Sequence, residues 1–208
     1  MTSALAFVLG LSLAAPLWAA SFPLLECERA RYYEGEEVSC VVRMDLLRNP
    51  LARQMTVAWN VFSKNLKRET QLLPITYKVL PSVRYGAPES LRAVTPLTVR
   101  VQFTEPLHAE LSEIAEQDVL IFPRNPKYWV GPEEFKNKKI LVEKDVEWVC
   151  AELEALGIPY ERATGRDLQA QKRFDLTLTE TLLKSLDRKD PWSRWELVQL
   201  LRKALEEK

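Results

Sequence analysis

The chain has 208 residues, of which 47% are hydrophobic, so it is long enough for one large domain or two small ones with a sizeable core. That composition excludes general disorder. Its 29 basic and 29 acidic residues cancel, which excludes a strong overall field for attracting nucleic acid or an anionic membrane surface. We therefore predict no nucleic-acid partner.

An apolar run lies at the extreme N-terminus, where residues 4–20 read "ALAFVLGLSLAAPLWAA". Such a run before a polar, globular pattern is typical of a secretory signal peptide, which we assign to residues 1–20, with cleavage near Ala20 or Ala14. Pro16 interrupts the run, which is also shorter than the roughly 20 residues of a membrane-spanning helix. The alternative is a retained N-terminal anchor, the one case in which we expect membrane contact. Either assignment predicts export to the periplasm, the cell surface or the extracellular medium.

Residues 21 to about 104 show the two-residue period of half-buried β-strands, and we assign residues 21–117 to one domain. The runs are "EEVSCVVRM" (36–44), "MTVAWNVF" (55–62), "LTVRVQF" (97–103) and the shorter "ITYKVL" (75–80). The side chains expected to face inward are Val38, Cys40, Val42, Met44, Met55, Val57, Trp59, Val61, Leu97, Val99, Val101 and Phe103. Because segments rich in Pro, Gly and polar residues separate these runs, we predict an antiparallel β-sandwich of the immunoglobulin-like kind.

From residue 118 the pattern changes to that of an α/β region. "DVLIFP" (118–123) is a compact apolar run, typical of a strand in a sheet covered on both faces. "KKILVE", the helical "DVEWVCAELEALG" and "IPYERA" then follow with short joints, with Asp145 capping the helix and Gly157 ending it. This order predicts a βαβ unit with a parallel sheet. We predict an abbreviated, flavodoxin-like α/β domain over residues 118–208.

Two helices are predicted near the C-terminus, each opened by a capping box: Thr177 with Glu180, and Ser193 with Glu196. The apolar stripe of the second helix consists of Leu197, Leu200, Leu201, Ala204 and Leu205. "RFDLTL" could instead be another strand, and the sequence does not decide this point.

Two of the three cysteines, Cys27 and Cys40, flank the turn signal "EGEE". Export places them in an oxidising compartment, where a disulfide can persist. Cys40 alternates inward with Val38 and Val42, and Cys27 can lie nearly opposite on the preceding strand. We predict a Cys27–Cys40 disulfide, worth about 3 kcal/mol on the chain-entropy model. Cys150 faces the sheet from the predicted helix, so we expect it to be free and buried.

No residue stands out as catalytic. His108 is the single histidine, and we interpret it as an exposed loop residue because no nucleophile-elbow motif accompanies it. One histidine and three widely spaced cysteines do not fit a zinc site, and the six glycines are not grouped into a phosphate loop. We therefore predict no metal and no cofactor.

Aromatic residues supply the candidate ligand site. "KYWVGP" and "DPWSRW" place Tyr128, Trp129 and Trp192 in loops or near a helix start, where they could form a ligand-stacking surface for sugar rings. We favour the other interpretation, in which these rings pack between the two predicted domains.

A resemblance accompanies these patterns. "YYEGEEVSCVVRM", "VAWNVF", "PLTVRVQF" and "DVLIFPRN" are similar to an accessory region found near the C-terminus of some large secreted glycoside hydrolases of the β-galactosidase type. There an immunoglobulin-like domain runs into a class I glutamine-amidotransferase-like α/β domain. The resemblance covers most of residues 21–208 and implies an accessory role, since the catalytic barrel of such proteins lies elsewhere. The glutaminase nucleophile on its strand-to-helix elbow is missing from this sequence.

The sequence thus favours a non-catalytic exported module that binds or assembles at the cell envelope, with a protein or a glycan as partner. The alternative is an accessory, sugar-binding part or a fragment of a carbohydrate-active hydrolase. In amidotransferase-like domains a further strand usually follows a helix such as "WELVQLLRKALEE", so we expect the α/β region to be abbreviated or a gene fragment.

Overall fold

Two sheets facing each other across a shared core form the first unit, which we call the sandwich. The structure is a computed structural model that describes residues 24–43, 46, 52–62, 64–72, 80–105, 108–163 and 173–207. The described strands of the sandwich are β1 (Leu25–Cys27), β2 (Arg31–Tyr33), β3 (Glu37–Val42), β4 (Gln54–Val61), β5 (Lys64–Leu72), β6 (Leu80–Gly86), β7 (Thr95–Glu105) and β8 (His108–Phe122).

The two sheets of the sandwich differ in size. The smaller has the order β1-β3-β6 and is antiparallel throughout. The larger has the order β2-β8-β7-β4-β5 and is antiparallel except for β2, which runs parallel to β8. The predicted β-sandwich is therefore present, with antiparallel pairing as its main pattern.

The core of the sandwich follows from strand alternation. Because successive side chains point to opposite faces, every second residue of β3, β4 and β7 lies between the sheets. Trp59 of β4 stacks on Tyr85 of β6 at 5.3 Å between ring centroids and so connects the two sheets. The predicted inward residues that are buried are Val38, Cys40, Val42, Met55, Val57, Trp59, Leu97, Val99, Val101 and Phe103, while Val61 is half-buried.

The predicted disulfide is confirmed. Cys27 of β1 and Cys40 of β3 are bonded, and they lie opposite each other in the antiparallel ladder. The backbone N–H of Cys27 donates to the side-chain oxygen of Gln117 on β8, at 2.8 Å, which joins the two sheets beside the bond. Cys150 is free and buried, as expected.

The end of the sandwich differs from the prediction. Strand β8 runs to Phe122 and pairs with β7 up to Ile121, so the expected boundary between residues 117 and 118 falls inside a sandwich strand. "DVLIFP" is thus the end of the last sandwich strand, which corrects its assignment to the α/β region. His108 begins the same strand, paired with Glu105 of β7, where a loop was expected.

The second unit, called the α/β unit below, contains a small parallel sheet. Its described strands are β9 (Ile140–Val142), β10 (Glu161–Arg162) and β11 (Leu176–Leu178), and its helices are α1 (Trp148–Leu156), α2 (Glu180–Leu183) and α3 (Ser193–Glu206). The sheet order is β10-β9-β11, with both pairings parallel. The predicted βαβ unit is confirmed, and "RFDLTL" contains a strand.

The helix boundaries follow their caps, with three corrections, which concern Asp145, Thr177 and the capping box predicted for Ser193 with Glu196. Gly157 ends α1 in the left-handed region, at φ 72°, as its sequence position predicts. Asp145 lies in a 3₁₀ turn before the helix, so it is not the cap of α1. Thr179, and not Thr177, caps α2 by accepting a hydrogen bond from the N–H of Leu182 at 3.2 Å. Helix α3 begins without a side-chain cap.

Some predictions concern residues that the structure does not describe. The assigned signal peptide (1–20), Met44 and most of "ITYKVL" (75–80) lie outside the described residues. In the described part of the chain, no helix combines the length and the apolar character needed to cross a membrane.

Candidate binding surfaces

An aromatic cluster joins the sandwich to the α/β unit. Phe122, at the end of β8, lies 5.0 Å from Trp129, 4.8 Å from Trp192 and 5.0 Å from Trp195, measured between ring centroids. Tyr33 of β2 stacks on Trp192 at 4.9 Å with an angle of 19° between the rings. We call these five residues the aromatic interface. It exists because β2 and β8 end side by side, with Tyr33 paired to Phe122.

The aromatic interface contains two of the three residues predicted to form a ligand-stacking surface. Trp129 is only 3% exposed, and its Nε1–H donates to the carbonyl of Pro123 at 2.8 Å. Trp192 is half-buried against Tyr33. Tyr128 lies apart from them, because the Arg92 guanidinium donates to its hydroxyl at 2.6 Å and covers its ring. Trp129 is therefore not an exposed platform for a sugar, which corrects that part of the prediction.

Ion pairs surround the aromatic interface. Arg31 of β2 pairs with Glu196 of α3 at 2.5 Å, which ties the sandwich to the helix beside Trp192. Within the α/β unit, Arg194 pairs with Glu152 of α1, also at 2.5 Å. Arg31 and Arg194 are about one-third exposed, so these pairs fix the orientation of the helices that they reach more than they stabilise the fold.

A second carboxylate contact fastens α3 to the loop before β9. Arg202 of α3 forms a two-pronged pair with Glu134, whose carboxylate also accepts from the N–H of Gly131 at 2.9 Å. Hydrogen bonds from the Arg202 side chain, and then from Gly131, hold the pKa of Glu134 below its usual value, while burial opposes them. A planar, two-pronged ion pair fixes the relative orientation of its two partners. This pair therefore holds α3 against the loop before β9.

Glu34, in the turn after β2, connects that turn to the segment before β7 and to the end of β8. Its carboxylate accepts backbone hydrogen bonds from Leu91 at 2.8 Å and from Arg124 at 2.9 Å, while its own N–H donates to the carbonyl of Phe122. The hydrogen bond from Arg124 is the main reason why the pKa of Glu34 is lowered. The turn after β2 is thereby attached to the chain that enters the α/β unit.

We expect the substitution Glu34→Gln to lower the free energy of unfolding at neutral pH by about 1 kcal/mol, because two backbone N–H groups lose a charged acceptor. A folded-state pKa that is lowered means stability that is present above the unfolded pKa of about 4.3 and is lost as the pH falls through the folded value. The variant should therefore lose stability less steeply than the wild type on acidification. Urea unfolding across the acidic range measures this, with Glu28→Gln, an exposed glutamate on the same unit, as control. Equal acid slopes for wild type and Glu34→Gln would contradict the assignment.

A groove runs between α2, the turn that follows it, and α3. Its volume is about 570 Å³. Its floor is apolar, because Leu182, Leu186, Leu200 and Ala204 line it while remaining only half-buried. Its rim is polar and carries the charged residues Asp187, Asp190, Glu196, Lys203 and Glu207. We call it the α2–α3 groove.

The α2–α3 groove continues to the edge of the parallel sheet. A neighbouring depression of about 680 Å³ is lined by Leu176, Thr177 and Thr179. It shares Leu182, Ala204 and Glu207 with the groove. An apolar surface therefore extends from the helix pair to strand β11.

Strand β11 has a partner on one side only among the described residues. The N–H of Leu176 donates to the carbonyl of Lys139, and the carbonyl of Leu178 accepts from the N–H of Glu143, so both bonds are made towards β9. Because alternate residues of a strand bond to opposite sides, the N–H and the carbonyl of Thr177 point to the other edge. That edge opens onto the depression that adjoins the groove.

The sequence of β11 distinguishes it from the other outer strands. Natural proteins protect such strands with charged residues or proline. The outer strands β1, β2, β5 and β10 carry Glu26, Arg31, the run 64–69 and Glu161 respectively, while β6 contains a proline. Strand β11 reads Leu-Thr-Leu and has neither. At three residues β11 is short, but its edge lacks the charge and the proline that discourage pairing with another strand.

The apolar stripe predicted for α3 contains Leu200 and Ala204, but the sequence does not predict the groove. In the structure Leu197, Val198 and Leu201 are buried in the α/β unit. Leu200 and Ala204 are left on the groove side of the helix. The predicted stripe has the spacing of one ordinary packing face, so nothing in the sequence signals that part of it lines a groove.

In the described part of the chain, no three His, Cys, Asp or Glu side chains converge to hold an ion.

Comparison with known proteins identifies no family: the sequence matches no protein-family model and no curated protein. Among solved structures, the chain is similar to an ICAM-5 D1–D4 ectodomain fragment, with 14% sequence identity and a TM-score of 0.32. The aligned part covers 57% of this chain and 32% of that fragment, so the chain spans about a third of its length.

Proposed function

We propose that the protein is a non-catalytic, exported module of the cell envelope that binds or assembles with a protein partner through the α2–α3 groove. The observation that carries this proposal is the groove itself, an apolar floor left half-buried beside a strand edge that carries neither charge nor proline. Exposed apolar surface with a polar rim is a feature of protein interaction sites.

Export and the finer fold assignments belong to the same proposal. The Cys27–Cys40 disulfide supports export, because such bonds persist in oxidising compartments. Trp59, buried between two facing sheets, supports an immunoglobulin-like arrangement of the sandwich, although the disulfide lies within the smaller sheet and does not join the two sheets. For the α/β unit, the central position of β9 in a parallel sheet supports a flavodoxin-like order.

The fused architecture supports an assembly role. Aromatic stacking and the Arg31–Glu196 pair hold the sandwich and the α/β unit in one arrangement. Because the arrangement is fixed, the α/β unit can present the groove to a partner while the sandwich contacts another part of the assembly.

Co-sedimentation of the full chain with isolated cell envelopes of its source tests the proposal. We expect saturable binding that Leu200→Glu weakens by at least about tenfold, because a carboxylate in an apolar contact costs more than 1.4 kcal/mol. The matched control is Ala58→Glu, a half-buried position on the outer face of β4, which should bind like the wild type. Circular dichroism checks that both variants are folded.

Two results would overturn the proposal. Envelope binding that Leu200→Glu leaves unchanged would show that the groove is not the contact surface. Measurable glycosidase turnover by the purified chain would replace a non-catalytic role with the hydrolase alternative.

A further inference from the structure

We propose that the partner supplies an extended segment with basic flanks, which pairs with β11 as a fourth strand of the parallel sheet and fills the α2–α3 groove. This inference rests on the proposed function and names the partner class for the same site. It is drawn from three features: the hydrogen-bonding groups of β11, the apolar floor beside them, and the charge of the rim.

Strand β11 carries backbone hydrogen-bonding groups on its outer edge. The outward N–H and carbonyl of Thr177 offer one donor and one acceptor at the spacing that an added strand requires. Strand addition at an open edge is a general mode of peptide recognition, in which the main chain supplies affinity and alternate side chains supply specificity. Among the described residues no strand pairs with this edge, and β11 carries no charge or proline that would oppose an added strand.

The apolar floor favours an amphipathic segment. A strand beside β11 presents alternate side chains to the same face of the sheet. Those on the groove side would meet Leu182 and Ala204, which line both the groove and the depression. Segments that alternate apolar and polar residues match this surface.

The charge of the rim favours basic flanks. Four carboxylates line the groove, from Asp187, Asp190, Glu196 and Glu207, against one ammonium from Lys203, which gives four minus one, or three net negative charges. Arg31 pairs with Glu196 and reduces the excess to two. Lysine or arginine on the incoming segment complements this rim, and acidic residues oppose it.

Peptide titration of the full chain tests this inference. The probe is a short synthetic peptide of alternating valine and threonine with lysine at both ends. We expect saturable binding and slower hydrogen exchange at the amide of Thr177. An analogue with glutamate at both ends should bind about tenfold more weakly or worse. An analogue with methylated backbone nitrogens should not bind, because it cannot pair with a strand.

Two variants separate the rim from general charge effects. Glu207→Lys should weaken binding of the lysine peptide, because Glu207 lines both the groove and the depression. The matched control is Glu206→Lys, an exposed neighbour that lines neither, which should bind the peptide like the wild type. Equal weakening by both variants would show that overall charge, and not the rim, governs binding.

The remaining outcomes distinguish this inference from the proposed function. If the methylated peptide binds as well as the parent, or if exchange at Thr177 is unchanged, strand addition is wrong. If Leu200→Glu still abolishes envelope binding in that case, the groove binds a partner of another shape and the proposed function stands.

Discussion

Replacing Phe122 by alanine is expected to lower the free energy of unfolding by about 3 to 5 kcal/mol. The ring is fully buried and packs against three tryptophans, of which Trp129 and Trp195 meet it edge-on. Its removal leaves a cavity where the sandwich meets the α/β unit. The backbone carbonyl of Phe122 still accepts the hydrogen bond from Glu34, so the loss reports packing alone.

Chemical denaturation of the purified chain measures this effect, with fluorescence of the interface tryptophans as the signal. Ile114→Ala is the matched control, because Ile114 lies on the same strand but is 45% exposed, and its loss should stay within about 0.5 kcal/mol. We also expect the Phe122→Ala variant to unfold in two steps, since the cavity separates the units. Equal effects of the two substitutions would show that the aromatic interface does not hold the units together.

Reducing the Cys27–Cys40 disulfide is expected to lower the free energy of unfolding by about 3 kcal/mol, given the sequence separation of 13 residues. The disulfide lowers the conformational entropy of the unfolded chain. In the folded chain Cys40 is fully buried. Urea titration with and without reductant measures the difference. Because no atoms other than the two sulfurs change their bonding, the comparison isolates the cross-link.

Two controls make the disulfide prediction specific. The variant Cys150→Ala should lose as much stability on reduction as the wild type, because Cys150 is free. The double variant Cys27→Ala, Cys40→Ala should not respond to reductant. Mass spectrometry that finds both cysteines alkylated in the folded, unreduced protein would contradict the assignment.

The strands that sequence periodicity predicts are those with one buried face. Alternation identified β3, β4 and β7 because their inward residues are apolar and their outward residues polar. Strand β5 was missed, because it is an outer strand that reads "KNLKRETQL" and lacks apolar alternation. Edge strands carry charged residues that discourage pairing with other chains. These residues take the place of the apolar alternation by which a strand is predicted.

The boundary error at "DVLIFP" has a different physical cause. Val119 and Ile121 lie in the core of the sandwich, while Phe122 belongs to the core of the α/β unit and Leu120 packs against it. Both faces of one strand are therefore covered, each by a different unit. The apolar run was correctly read as a doubly covered strand, but such a run does not reveal which sheet contains it.

The candidate sites were predictable only in part. The disulfide followed from two cysteines on strands joined by a turn. The surroundings of Trp129 and Trp192 depend on where β2 and β8 end, and the groove depends on the angle at which α3 crosses α2. Both are tertiary relations, and neither leaves a local periodic signal in the sequence.

The pairing of β2 with β8 affects the order of folding. Tyr33 reaches Phe122 from far away in the sequence, and closing such long-range pairs is the slow part of folding for sheet topologies. The disulfide fixes β1 against β3 but leaves the chain between Tyr33 and Phe122 as long as before, so it does not speed this closure. Trp192 stacks on Tyr33 only once β2 lies beside β8, so docking of the α/β unit follows the slow step of the sandwich whether or not the cysteines are oxidised.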